Sequence, residues 1–416
     1  MRQIVSTLML LIALSTNAQV LSLDECLSLS RANYPLIADF ENLNKQLELK
    51  LKSLNANYYP KLDLTGQFTW QNDVPGFDSP MPGMDIPKAP QEQYKAFVDV
   101  QQVIYDGGIT KAAKVSEQRQ KAAEKYGVEV QLFAVRDKVV QSYFMVLMFK
   151  EQLAQLDYRR LMLEERFREI KSAVDNGMVL QSEADLLYVE MVQLDQDKFA
   201  LLEGRASALD ILSELTGKEI SEEAALEMPL LAQEPNFYRP EYDLFAAQQE
   251  QLGAYKALAG RSRMPVVAGF GQVGYGNPGY NMLKDEFATF YMVGLRLKWN
   301  IWDWKSSANE KAVLSLKTES VKYQQATFTK NVSMAQSQIE ASIRKLDKVI
   351  EKDDEIIRLR KGITEARQSQ LNNGTITAAD YIKDLNTESM ARLAKELHLL
   401  ELSKAKVQLN DLRIKQ

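Results

Sequence analysis

Residues 290–305, FYMVGLRLKWNIWDWK, alternate along their length. Val293, Leu295, Leu297, Trp299 and Ile301 fall on one side, and Gly294, Arg296, Lys298 and Asn300 on the other. A period of two predicts a β-strand with one apolar and one polar face. The run ends in Trp299, Trp302 and Trp304, three of the chain's four tryptophans. Aromatics gathered at a strand end suit a membrane–water interface, because an indole has an apolar body and a polar N–H. From Asp303 the pattern turns helical and stays so to Asn372.

The same order of patterns occurs earlier. Residues 23–57 read as one helix, ended by Tyr58-Tyr59-Pro60. Residues 60–70 then alternate, with Leu62, Leu64, Phe68 and Trp70 against Asp63, Thr65, Gln67 and Thr69. Residues 72–91 carry Pro75, Pro80, Pro82, Pro87 and Pro90 and predict a long loop. Residues 94–105 predict a second strand, with Val98, Val100 and Ile104 opposite Asp99, Gln101 and Val103. Each alternating run is about 10 residues, the length of a tilted transmembrane strand. After Asp106-Gly107-Gly108 a helical pattern runs to Asp175. Within it Leu132, Val139, Val146 and Leu153 are spaced by seven, as are Phe149, Leu156, Leu163 and Ile170. Sustained heptads predict coiled-coil packing. Asn176-Gly177 breaks this helix, and another follows to Thr216-Gly217. Residues 238–263 read as a further helix, residues 266–275 as a strand and residues 276–286 as a loop. The last long helix breaks at Asn373-Gly374 before a final helix.

The two halves share landmarks. Pro60 corresponds to Pro265, Ile104-Tyr105-Asp106 to Ile301-Trp302-Asp303, and Asn176-Gly177 to Asn373-Gly374. The interval from Asp106 to Asn176 equals that from Asp303 to Asn373, 70 residues. This register predicts an internal duplication of helix, strand, strand, long helix and helix. The expected boundaries are a signal peptide at 1–18, a first repeat at 19–217, a connecting equatorial segment at 218–236 and a second repeat at 237–416.

The N-terminal MRQIVSTLMLLIALSTNAQ supplies that signal: Arg2, a short apolar core from Leu8 to Leu14, and a small residue, Ala18, before Gln19. No later run has the roughly 18 apolar residues of a membrane helix, so a membrane protein built from this chain must be a barrel. Four strands cannot close one, since about eight is the practical minimum. An open sheet would leave unpaired edges in lipid. The chain must therefore oligomerise, and three copies give twelve strands. Leu62, Leu64, Phe68, Val98, Val100, Val293, Leu295 and Leu297 are the expected lipid face, with Trp70, Tyr105, Trp299, Trp302 and Trp304 as interface aromatics.

Other chemistry is scarce. The net charge of -5 argues against a nucleic-acid partner. One cysteine, Cys26, excludes an intrachain disulfide, and one histidine, His398, leaves little material for a metal site or a histidine-based triad. No cofactor is implied. Gly269, Gly271 and Gly274 spell G-x-G-x-x-G, but Tyr275-Gly276-Asn277-Pro278-Gly279 follows where a dinucleotide site needs a helix.

The chain resembles the TolC-like outer-membrane efflux protein family. The resemblance is carried by Leu21-Ser22-Leu23-Asp24-Glu25-Cys26-Leu27, by Asn33-Tyr34-Pro35, by the junctions Ile104-Tyr105-Asp106-Gly107-Gly108 and Ile301-Trp302-Asp303, and by the Asn-Gly turns with Asp380 beyond the second. It implies a homotrimer, with a twelve-stranded outer-membrane β-barrel continuous with an α-helical coiled-coil tunnel in the periplasm. It implies a passive exit duct rather than an enzyme, joined by a periplasmic adaptor (membrane fusion) protein to an inner-membrane pump. An exported coiled-coil scaffold without transport activity is the alternative. The resemblance makes the turns Gly177-Met178-Val179 and Gly374-Thr375-Ile376 the adaptor's docking tips. It also implies a periplasmic gate at a carboxylate ring. Asp380 matches the ring's first acidic position; Lys383 stands at the second, with Asp384 one residue later. Ile376 replaces the family's basic locking residue, and Glu183 is the equivalent acid of the first repeat and the candidate lock partner.

Overall fold

The computed structural model describes residues 20–75, 88–229 and 239–412. The expected signal peptide, most of the proline-rich loop and much of the connecting segment lie outside the described residues. In chain order the elements are β1 (Val20–Leu21), α1 (Leu23–Asn33), α2 (Ile37–Asn55), a 3₁₀ turn (Ala56–Tyr58), β2 (Lys61–Trp70), β3 (Glu92–Tyr105), α3 (Ile109–Asp175), α4 (Gln181–Thr216), β4 (Ala225–Leu226), α5 (Pro240–Ala259), β5 (Val266–Asn277), β6 (Ala288–Lys298), α6 (Ser306–Asn372) and α7 (Ala378–Leu412). Helix, strand, strand and two helices thus occur twice in the same order, and α3 and α6 each have 67 residues.

The helix expected over 23–57 is two helices. Pro35 causes the break: its ring clashes with a helical residue before it, so Tyr34 is extended, at φ -64° and ψ 133°. Ser22 caps α1, its hydroxyl accepting from the Glu25 N–H at 3.2 Å. The helix expected over 238–263 is shorter, Pro240–Ala259, with proline at the first helical position, where its missing N–H costs nothing.

The chain divides into two compact units. One comprises residues 40–127 and 242–325 and holds an antiparallel sheet in the order β2-β3-β5-β6. Its strands have 10, 14, 12 and 11 residues. Their register aligns Leu62 with Val100, Gly271 and Val293, and Leu64 with Val98, Val273 and Tyr291. The intervening row aligns Asp63 with Asp99, Gln272 and Met292. Gly269, Gly271 and Gly274 lie inside β5, which is a strand and not a phosphate-binding turn.

Strand and helix meet in the same way in both halves. After β3, the Asp106 carboxylate accepts from the N–H groups of Gly108 at 2.8 Å and Thr110 at 2.6 Å. Near β6, Asp303 accepts from those of Lys305 and Ser307, both at 3.1 Å. Each satisfies amides that the first turn of a long helix leaves open. The turn itself uses two left-handed residues in each half: Gly107 and Gly108 at φ 68° and 82°, and Trp304 and Lys305 at φ 51° and 63°.

The other unit comprises residues 1–39, 128–241 and 326–416. The heptad residues Leu132, Val139, Val146, Leu163 and Ile170 are all buried there. One core gathers Leu21, Cys26, Val139, Tyr143, Val146 and Leu212. Burial pushes the Cys26 thiol up to about 12, with a smaller contribution from Glu25, so this cysteine acts as a small apolar side chain. The Tyr143 hydroxyl lies 2.8 Å from the Leu21 carbonyl and 2.7 Å from that of Glu227, tying down the ends of the parallel β1–β4 pair. His398 pairs with Asp353 across α6 and α7 at 2.7 Å. A second core holds Leu163, Ile170, Leu187, Met191, Leu371, Tyr381 and Leu385.

Candidate functional site

Two places carry the residues singled out from the sequence. The first is the sheet. Its register puts Leu62, Leu64, Phe68, Val98, Val100, Val293, Leu295 and Leu297 on one face. Several are unusually exposed for apolar side chains: Leu64 is 80% exposed, Val293 78% and Leu295 75%. An apolar patch of this kind marks a contact surface. Trp70 shares the face by alternation. Tyr105 reaches it through an irregularity between Val103 and Tyr105, which sets Tyr105 opposite Val267.

Aromatics bound the apolar face at both ends. Toward the loop end, the Phe68 ring lies 5.0 Å from Tyr94, and Phe287 stacks on Tyr275 at 5.5 Å. At the helix end stand the exposed Trp299, Trp302 and Trp304, with the last two edge to face at 5.7 Å. The Arg263 guanidinium donates to the Ile301 carbonyl at 2.9 Å and holds this segment in place. The opposite face carries Asp63, Lys95, Asp99, Gln272, Arg296 and Lys298. There Gln272 donates to Asp99 at 2.8 Å, and the Arg296 guanidinium lies over the Phe270 ring at 5.1 Å.

The second place is the pair of helix turns. Gly177 and Gly374 are left-handed, at φ 68° and 65°. Each closes its helix with the same two bonds. Gly177 N–H donates to Val174 at 2.8 Å and Met178 N–H to Ala173 at 2.9 Å; Gly374 N–H donates to Leu371 at 2.9 Å and Thr375 N–H to Gln370 at 3.0 Å. Met178 and Thr375 are exposed. Val179 and Ile376 instead pack against the second core, so only part of each turn offers a free surface.

Glu183, Asp380, Lys383 and Asp384 sit beside these turns, and the structure gives each a local partner or neighbour. Thr377 and Asp380 form a reciprocal cap at the start of α7. Asp380 Oδ2 accepts from the Thr377 N–H at 3.2 Å and hydroxyl at 2.8 Å, and Thr377 Oγ1 accepts from the Asp380 N–H at 3.3 Å. Those bonds, aided by Arg367 and Lys383, hold the Asp380 carboxyl below its usual value. Glu183 reaches from α4 to accept the Ala378 N–H at 2.7 Å. Asp384 accepts from Arg367 Nε at 3.0 Å. Lys383 is exposed.

Arg166 was not foreseen. It is 2% exposed, pairs with Glu169, donates to Asn372 at 3.3 Å and lies 5.9 Å from the Tyr381 ring centre. The sequence did contain its signal: Arg166 stands three residues after Leu163 and four before Ile170, in the apolar stripe itself.

This fold has solved counterparts. The CmeC outer membrane channel of Campylobacter jejuni superposes with a TM-score of 0.67 at 13% identity, covering 94% of this chain and 85% of that one. The outer membrane protein VceC of Vibrio cholerae gives 0.66 at 12%, covering 94% and 97%. The open-state MtrE outer membrane channel of Neisseria gonorrhoeae gives 0.67 at 14%, covering 94% and 88%. The chain has the outer-membrane channel fold. No family model matches the sequence, and no curated protein does either. At these identities the likeness lies in the fold, a mostly helical chain with a small antiparallel sheet.

Proposed function

We propose that the chain is an outer-membrane exit duct of a tripartite efflux or secretion system. Three copies close their four-stranded sheets into a twelve-stranded barrel, and their long helices form a tunnel in the periplasm. The observation that carries this reading is the sheet's apolar face bounded by aromatics at both ends. Tyr275, at the loop end, pairs with Thr289, ten positions before Trp299, about 34 Å along the chain and about 26 Å once the strands tilt by about 40°. Outer-membrane barrels carry an outward apolar band about 25 Å tall between aromatic girdles. The sheet's edges, β2 and β6, have one neighbour each among the described residues, and in lipid they need partners from other copies.

The matched aspartate caps, left-handed pairs and glycine turns support duplication of an ancestral unit at 19–217 and 237–416, joined by the segment at 218–236. The duct is passive: a periplasmic adaptor docks at the exposed residues of the two turns and links it to an inner-membrane pump that supplies the energy. The gate lies beside those turns, at Asp380, Lys383, Asp384 and Glu183. Migration of an unheated outer-membrane fraction in detergent gels tests the barrel. A trimeric barrel runs as a compact species of three chains that heat converts to single chains. Single-chain migration before heating would rule the duct out.

A further inference from the structure

The polar face of the sheet contains one row with two phenylalanines. The register aligns Thr65, Phe97, Gly274 and Phe290 across the four strands. The Phe97 and Phe290 rings lean toward each other over Gly274, with centroids 6.4 Å apart. A Cβ at Gly274 would stand 2.5 Å from the Phe97 Cβ and 2.7 Å from the Phe290 ring. The glycine is what lets two large rings share one row. Phe290 is buried although it lies on the face that also carries Asp63, Asp99 and Lys95.

A third ring comes from the loop between β5 and β6. Tyr280 meets Phe290 edge to face at 4.9 Å, and its hydroxyl lies 3.5 Å from Gln272 Oε1 on the same face. The loop is pinned at its base, where Asn277 Nδ2 donates to Asp285 at 2.9 Å. Its far end crosses to the other side, where Phe287 stacks on Tyr275. The loop therefore folds its first half over the polar face of the sheet.

We propose that Phe97, Phe290 and Tyr280 form an aromatic collar inside the outer mouth of the lumen, and that the collar sets the width of the solutes that leave. The proposal rests on the duct reading, in which the polar face lines the lumen. Three copies would then ring the lumen with these side chains, two residues or about 7 Å outward of the row of Asp63 and Asp99. The half of Tyr280 that stays exposed faces the passing solute. This constriction uses residues other than those of the proposed gate beside the helix turns.

Cysteine labelling of intact cells from outside tests the collar. Cys26 is buried and stays silent, so Asp63→Cys is the reporter just inward of the aromatic row. A maleimide carried on a wide polyethylene glycol should label it slowly, and at least tenfold faster when Tyr280→Ala is added. Tyr280→Phe, which keeps the ring, should restore slow labelling. Equal rates with and without the Tyr280 ring would overturn the collar. Leu295→Cys serves as the control for the duct reading. Lipid should shield it from a polar maleimide, and labelling as fast as at Asp63→Cys would overturn the barrel itself, and the collar with it.

Discussion

The Glu183 carboxylate accepts a hydrogen bond from the Ala378 N–H at 2.7 Å, joining the helix after the first turn to the start of the helix after the second. A carboxylate at a helix N-terminus meets both an open donor and the positive end of the helix dipole. A bond of this kind contributes about 1.5–3 kcal/mol. Glu183→Ala should raise hydrogen exchange at Ala378 by about tenfold or more, at the corresponding 1.4 kcal/mol per decade. Glu183→Gln keeps an acceptor and should lie between. Unchanged exchange in both would show that the cap contributes nothing.

The two faces of β6 should respond oppositely to charge. Leu295→Arg places a cation on the proposed lipid face, at a cost of about 2–4 kcal/mol at the bilayer midplane. Arg296→Ala loses a contact with Phe270, worth about 0.5–1 kcal/mol at an exposed site. The first should abolish the heat-modifiable oligomer and the second should leave it. Equal damage from both would remove the assignment of faces.

What could be read from the sequence was periodic, and what could not was a single contact. Alternation in Leu62–Leu64 and Val293–Leu297 needs only the pleat, so strands and faces followed from it. The heptads of α3 similarly led to its buried stripe. The Pro35 break carried a local signal that the leucine spacing obscured. Arg166 in the apolar stripe was the other local signal, and its reading needed Asn372 and Tyr381, which lie over 200 positions away. The contacts Glu183–Ala378 and Tyr280–Phe290 follow no period at all. They arise where turns and loops bring elements together, which side-chain spacing within one element does not encode.

The strand–helix junctions differ in chemistry though they match in shape. Gly107 and Gly108 take left-handed angles freely, whereas Trp304 and Lys305 take them against the steric preference of a Cβ. A strained residue of this type costs about 1–3 kcal/mol. Lys305→Gly should therefore stabilise the oligomer in a thermal melt. Gly107→Ala should destabilise it, since the added Cβ would stand 2.3 Å from that of Met264. A lower melting temperature for Lys305→Gly would show that the lysine side chain has a role that outweighs its strain.

The turns separate docking from folding. Thr375 is exposed, whereas Val179 packs into the second core. Thr375→Trp should block efflux while the oligomer still forms: it gives up the Thr375 hydroxyl's bond to the Gln370 carbonyl at 2.9 Å, on an exposed turn, and otherwise alters the surface offered to the adaptor. Val179→Trp enlarges a half-buried side chain packed against the second core, where overpacking costs about 1–3 kcal/mol, and should lower oligomer yield as well. Retained efflux with Thr375→Trp would remove that residue from the docking surface.

Asp380 tests the gate, because two effects on its proton oppose each other. Within one chain, the bonds from Thr377 hold its carboxyl below the ordinary aspartate value. In a trimer, three such carboxylates that converged closely would repel one another and raise it. Asp380 is exposed and water screens the repulsion, whereas its cap bonds are direct. The depressed value should therefore persist in the assembled duct. A lowered folded value means that the charge, and the cap it completes, are intact at neutral pH and lost only as pH falls through that value. Cation selectivity across a planar bilayer should accordingly survive to below about pH 3.9, the unperturbed aspartate value. Asp380→Ala should reduce the selectivity at neutral pH, and Lys383→Asp should increase it. A midpoint above the unperturbed value would mean that the three carboxylates converge and the caps have opened. No change with either substitution would place the gate elsewhere.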